Sequence, residues 1–342
     1  MPNNSTKILF LMTLISGMLI SLCANSWMGA WMGLEINMLS FIPMLASNKN
    51  MLSTEASLKY FLIQAIASTT LLFMILLKSN TQEMFHIFKL TEWNNIVLIP
   101  LLMKVASAPF HWWLPSVLEG SSWLNCFILL STQKMAPLML ISYLLSSNLL
   151  IQIAIVLSAL VGGVGGFNQT SLRKLLAFSS VNHMSWMLVA MILGSNLWLT
   201  YFFIYLINIL VIVLLASTIS LSFISQAFNS MNKTKLVKFT LFIAMFSLGG
   251  LPPFLGFFPK WVTLQLMIQN LMISTAMTLV MTSLLTLFYY MRIMYATLMI
   301  STLEVSWLTL SYPKNHYSIL LMTSLSSILL GILLCTLAFS VY

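Results

Sequence analysis

Apolar runs of about 20 residues follow one another along the whole chain, and no other feature restricts its fold so strongly. As a helix, a run of that length crosses roughly 30 Å of hydrocarbon. Eleven such spans are expected, at about 6–23, 27–46, 58–78, 95–115, 123–145, 149–168, 174–193, 197–223, 238–266, 270–298 and 317–341. The connections are short, and none is long enough to form a soluble domain. Only 6% of the 342 residues are charged, against roughly 25% in a soluble globule. Too few polar side chains exist to coat a water-soluble body of this size. The expected fold class is therefore an all-α polytopic membrane protein.

The net charge of +9 does not point to nucleic acid, because the fifteen basic residues form no basic stripe. They act instead as topology signals. With the N-terminus inside, that side carries Lys7, Lys49, Lys59, Arg173, Lys174, Lys233, Lys235, Lys238, Arg292 and Lys314, while the other carries only Lys78 and Lys89. Ten against two predicts an inside N-terminus and, with an odd number of spans, an outside C-terminus. Cys23, Cys126 and Cys335 are far apart in apolar runs and match no metal or disulfide spacing, so buried, inert thiols are expected. The opening MPNNSTKILF has neither a transit-peptide nor a signal-peptide pattern. That fits a bacterial inner-membrane protein or one made inside an organelle.

Three lysines and one acid do not fit the loops. Lys104, Lys134, Lys260 and Glu35 all fall within spans, whereas Glu55, Glu83, Glu92, Glu119 and Glu304 lie in loops or at span ends. Each mid-span charge costs about 2.5–3.5 kcal/mol on insertion scales, so four cost roughly 10–14 kcal/mol. That is comparable to the whole stability of a typical domain. Snorkelling explains Lys59 and Lys78 at span ends, but not lysines with about ten apolar residues on either side. One structural ion pair with Glu35 leaves two lysines over. Burial disfavours a lysine's charge and a nearby carboxylate favours it, so a row of such groups suits a proton relay. His183 lies mid-span in SSVNHMSWM, and His111 follows a break in the fourth span; an imidazole can also carry protons near neutral pH. A satisfied core histidine is the plain alternative for His183. His86 and His316 fall in loops.

The segments PFHWWLP (Pro109–Pro115) and PFLGFFP (Pro253–Pro259) share the pattern P-F-x-x-x-x-P. Lys104 precedes the first and Lys260 follows the second. They lie five spans apart and so run in opposite directions through the membrane, which is the signature of an inverted repeat with discontinuous helices. Repeat one is expected at about 6–145, repeat two at about 149–298, and a last helix at about 317–341. The helix breaks are expected near 105–116 and 248–261, at Pro109, Pro115, Pro253 and Pro259. Proline removes a helical hydrogen bond, and the freed carbonyls must find partners in protein or water. The breaks are therefore expected to bring carbonyls to the lysines. The glycines of GGVGGFNQTSLRKLL lack the GK[ST] of a phosphate loop and fit close helix packing.

MKVASAPFHWWLPSVLEG, STQKMAPL, GGFNQTSLRKLLAFSSVNHMSWM and SLGGLPPFLGFFPKW resemble the antiporter-like subunits of respiratory complex I, and the resemblance covers essentially the whole chain. It implies a proton-pumping module of the membrane arm, in the mitochondrial inner membrane with its N-terminus on the matrix side and its C-terminus on the intermembrane-space side. The resemblance further implies a Glu35–Lys104 pair, a central Lys134, a distal Lys260, His183 on the polar axis and His111 as a further relay candidate. NADH, FMN, iron–sulfur clusters and ubiquinone would be used by other subunits, with no cofactor on this chain. Partners would be other membrane-arm subunits and membrane lipids, with cardiolipin a candidate. A stand-alone cation/proton antiporter of the same fold is the alternative.

Overall fold

The computed structural model describes residues 5–47, 50–84, 90–145, 149–224, 226 and 235–299. The expected span at 317–341 lies outside the described residues, as do Lys49, Lys89, Lys233, Lys314, Glu304, His86, His316 and Cys335. Among the described residues the regular elements are helices, with one isolated bridge between Ser171 and Phe223. Among the described residues six helices are long and apolar enough to cross a membrane: Ser5–Cys23, Met51–Lys78, Trp123–Leu144, Leu172–Leu193, Asn196–Thr218 and Ile273–Tyr295.

The chain divides into two compact units, Met1–Leu157 and Ser158–Tyr342. The first holds α1 (Ser5–Cys23), α2 (Trp27–Leu45), α3 (Met51–Met84), α4 (Leu90–Val105), α5 (Trp113–Gly120), α6 (Trp123–Leu130) and α7 (Thr132–Leu144). Small residues let these helices approach closely. A Cβ on Gly17 of α1 would lie 2.8 Å from the Asn37 nitrogen, and one on Gly33 of α2 would lie 2.5 Å from that of Ser21. At the end of α5, a Cβ on Gly120 would lie 2.4 Å from the Leu52 carbonyl of α3. α7 packs on α1, α2 and α4. Cys23, expected to be buried, is exposed: it ends α1, a helix with only 17% of its apolar window covered. Cys126 is buried against Ser121, with Sγ and Oγ 3.0 Å apart.

α8 (Leu149–Gly165) leads into the second unit, made of α9 (Leu172–Leu193), α10 (Ser195–Ile219), α11 (Lys235–Gly249), α12 (Phe257–Gln269) and α13 (Ile273–Met299). α9 is its core helix. Of the apolar window of α9, 89% is buried, and α10, α12 and α13 pack on it. α11 packs on α10 and α13.

Three expected spans differ from single helices. The fourth is α4 and α5 separated by 106–112, and the ninth is α11 and α12 separated by 250–256. The fifth is divided between α6 and α7 at Ser131, whose φ of −109° and ψ of −87° leave the helical region. There the Ser131 hydroxyl bonds the Phe127 carbonyl and the Thr132 hydroxyl the Ile128 carbonyl. Such back-bonding weakens and bends helices, and Pro137, inside α7, cannot donate an amide hydrogen nearly two turns later.

Candidate functional site

At the first break the chain leaves α4 through Ala106, which has φ +63°. Pro109 lies in the break. Pro115, expected to help open the helix, instead occupies the first turn of α5, and Pro259 likewise sits in the first turn of α12. Proline is tolerated there because the first-turn amide would lack a partner anyway. Pro253 lies in the second break.

The freed carbonyls of α4 do not go to Lys104. The Leu102 carbonyl accepts from the Ser107 amide and hydroxyl, both at 3.2 Å. The Met103 carbonyl accepts from Trp113 Nε1 at 3.2 Å, and the Lys104 carbonyl from Gln64 Nε2 at 3.5 Å. The expectation that this break supplies Lys104 with carbonyl partners is corrected. A helical side chain leans toward the N-terminus of its own helix. Lys104, at the end of α4, therefore leans away from the carbonyls freed behind it.

The second break has the opposite arrangement and the opposite result. Lys260 is in the first turn of α12 and leans back toward the end of α11. Its Nζ donates to the Gly249 carbonyl at 2.9 Å and the Leu248 carbonyl at 3.5 Å, and lies 5.9 Å over the Trp186 ring of α9. Gly250 turns the chain with φ +82°. A Cβ on Gly256 would lie 1.7 Å from the Ser247 carbonyl, so only glycine fits. The Ser247 hydroxyl donates to Asn208 Oδ1 at 3.1 Å, tying the break to α10.

Lys104, Lys134 and Lys260 are each 6% exposed or less. In the first unit Lys104 and Lys134 line one small cavity together with Asn37, Tyr60, Gln64, Gln133 and the Trp113 ring. It has room for about one water molecule. The half-buried Glu35 of α2 acts electrostatically on Lys104. The two do not form a contact ion pair, whereas Lys59 and Glu55 do, 2.6 Å apart, with both side chains well exposed. His111 is buried but is not a cavity residue. Its ring lies against Trp112, centroids 4.7 Å apart.

In the second unit His183 sits mid-way along α9, 6% exposed. Its Nδ1 is 2.9 Å from the Tyr201 hydroxyl, and its ring lies 5.1 Å from that of Tyr205, both on α10. Sequence reasoning missed these tyrosines, the kink at Ser131 and the cavity's uncharged lining. The only signal for the lining was a polar side chain inside an apolar run, as in Gln64, Gln133 and Asn37.

The family described as NADH:quinone oxidoreductase/Mrp antiporter, TM, matches residues 24–286. NADH-ubiquinone oxidoreductase chain 2 of Anopheles gambiae is 47% identical over 291 residues, covering 83% of this chain and 84% of that one. The chain 2 protein of Aedes aegypti is 45% identical over 341 residues, 99% of either chain. A chain of respiratory complex I from Thermus thermophilus shares the fold, with a TM-score of 0.83 at 21% identity, covering 97% of this chain and 79% of that one. The chain therefore belongs to the NADH:quinone oxidoreductase/Mrp antiporter membrane family, among the relatives named NADH-ubiquinone oxidoreductase chain 2.

Proposed function

We propose that the chain serves as the chain 2 subunit in the membrane arm of the proton-pumping NADH:ubiquinone oxidoreductase of mitochondria, and that its buried ionisable side chains move the protons. The observation that carries the relay is the pair of buried lysines, Lys104 and Lys134, on one small polar cavity. Two such cations are retained in an apolar bundle only for a use that rewards their burial.

Quinone reduction elsewhere in the complex shifts the carboxylate of Glu35. Moving that charge away removes what favours the ammonium of Lys104, and its proton passes to Lys134. His183 and Lys260 take later places in the relay. His111, held at the first break, is a further candidate. No redox group sits on this chain in this reading; NADH, FMN, iron–sulfur clusters and ubiquinone belong to other subunits. The partners are neighbouring membrane-arm subunits, with anionic lipids such as cardiolipin at the lipid face. Eleven spans, two inverted five-helix repeats and a matrix-side N-terminus complete the topology, supported by the lysine and arginine bias.

Lys104→Met removes the charge at similar volume. In coupled membranes, the assembled complex carrying it is expected to lose proton yield per NADH. An unchanged yield would refute the relay. A stand-alone cation/proton antiporter has the same fold but predicts activity of the isolated chain in liposomes; identities of 45–47% to complex I subunits favour the first reading.

A further inference from the structure

We propose that Tyr60, Gln133 and Asn37 are positioning residues that orient the proton exchange between Lys104 and Lys134. The inference deepens the relay reading and rests on it. The three side chains come from α3, α7 and α2 and line the cavity beside both lysines. The Tyr60 hydroxyl donates to Gln133 Oε1 at 3.1 Å, and Gln133 Nε2 donates to Asn37 Oδ1 at 3.0 Å. Tyr60 is 1% exposed and Asn37 2%, so neither can trade these bonds for bulk water.

The chain of bonds has a direction. It leaves the Tyr60 oxygen as an acceptor at one end and the Asn37 amide hydrogens as donors at the other. An ammonium offers donors only, so a cavity between two lysines needs acceptors on its wall. Tyr60 supplies one. Gln64 supplies another, because its Nε2 is committed to the Lys104 carbonyl and its Oε1 is left to accept. A water in the one-molecule space would be held by such fixed groups.

The exchange balances without any of these residues changing protonation. A Lys104 N–H bond breaks as a water O–H forms. Another O–H of that water breaks, and its proton joins Lys134. Lys104 ends neutral, Lys134 ends as the ammonium, and the water is regenerated.

The test uses assembled complex in coupled membranes carrying Tyr60→Phe or Gln133→Met. Tyr60→Phe keeps the ring and its edge contacts with Phe41 and Trp113, at centroid distances of 5.2 and 5.9 Å, and deletes only the hydroxyl. Tyr60→Phe is expected to translocate protons about tenfold more slowly, the worth of one hydrogen bond, and Gln133→Met, which loses two, more slowly still, both with a larger solvent hydrogen/deuterium isotope effect. Phe41→Leu, a packing change beside Tyr60, is expected to lower the amount of assembled complex and leave the isotope effect alone. Wild-type translocation and isotope effect in both variants overturn the proposal. A fall in assembled amount alone makes the residues structural and also overturns it. Full proton yield in Lys104→Met sinks the wider relay instead.

Discussion

Gly250 and Gly249 are adjacent glycines with opposite tolerance for a methyl group. At Gly250 the backbone has φ +82°, where an L side chain costs about 1–2 kcal/mol. A Cβ there would also lie 2.9 Å from Lys260 Cδ and 3.0 Å from its Nζ. The lysine tail is flexible, so it would swing aside rather than force the backbone. In doing so it would give up the 2.9 Å bond to the Gly249 carbonyl, a charge-assisted bond worth about 1.5–3 kcal/mol. Gly250→Ala should therefore cost the second break about 2.5–5 kcal/mol, or roughly two to four orders of magnitude in its local equilibrium. At Gly249 the added Cβ meets the Tyr290 ring at 3.6 Å, an ordinary contact, at the end of a helix where alanine is the better helix former. Native electrophoresis and the thermal midpoint of the assembled complex, with proton yield per NADH, compare the two variants. Gly249→Ala should match the parent and Gly250→Ala should fall in all three. Equal behaviour of the two would refute the account of the break.

Trp113→Phe removes the Nε1 donor from the Met103 carbonyl but leaves the Ala106 amide on it. A loss of about 1 kcal/mol is expected, read as a lower thermal midpoint of the complex. Lys59→Gln breaks an ion pair with Glu55 whose side chains are 46% and 58% exposed. Its effect on the same midpoint should stay within about 0.5 kcal/mol, and proton yield should not change.

The fold class was legible because twenty-residue apolar runs have few other solutions, and both major breaks were legible from the two P-F-x-x-x-x-P segments. The role of the second proline in each was not. Pro115 and Pro259 begin the next helix, and proline in a sequence reads alike as the end of one helix or the start of another. Lys104, Lys134 and Lys260 stood out because a mid-span charge is costly. Tyr60, Gln133 and Asn37 did not, since an uncharged amide or phenol costs far less and passes within an apolar run. The kink at Ser131 rests on hydroxyls bonding back to the preceding turn, and serine and threonine also do this in unbent helices. Whether Lys104 would reach the carbonyls of its break depended on the lean of a helical side chain, which the two flanking positions encode but motif matching ignores.

That lean divides the labour between the breaks. The first is capped by Ser107, Trp113 and Gln64, none of which carries charge, so Lys104 can gain or lose a proton against a scaffold that does not respond. The second is capped by the ammonium of Lys260 itself. A neutral amine is the weaker donor, so discharging Lys260 loosens the end of α11 and charging it tightens that end. In the proposed relay, one lysine would act as an electrode in a fixed mount, and the other as a latch whose grip is set by its own charge.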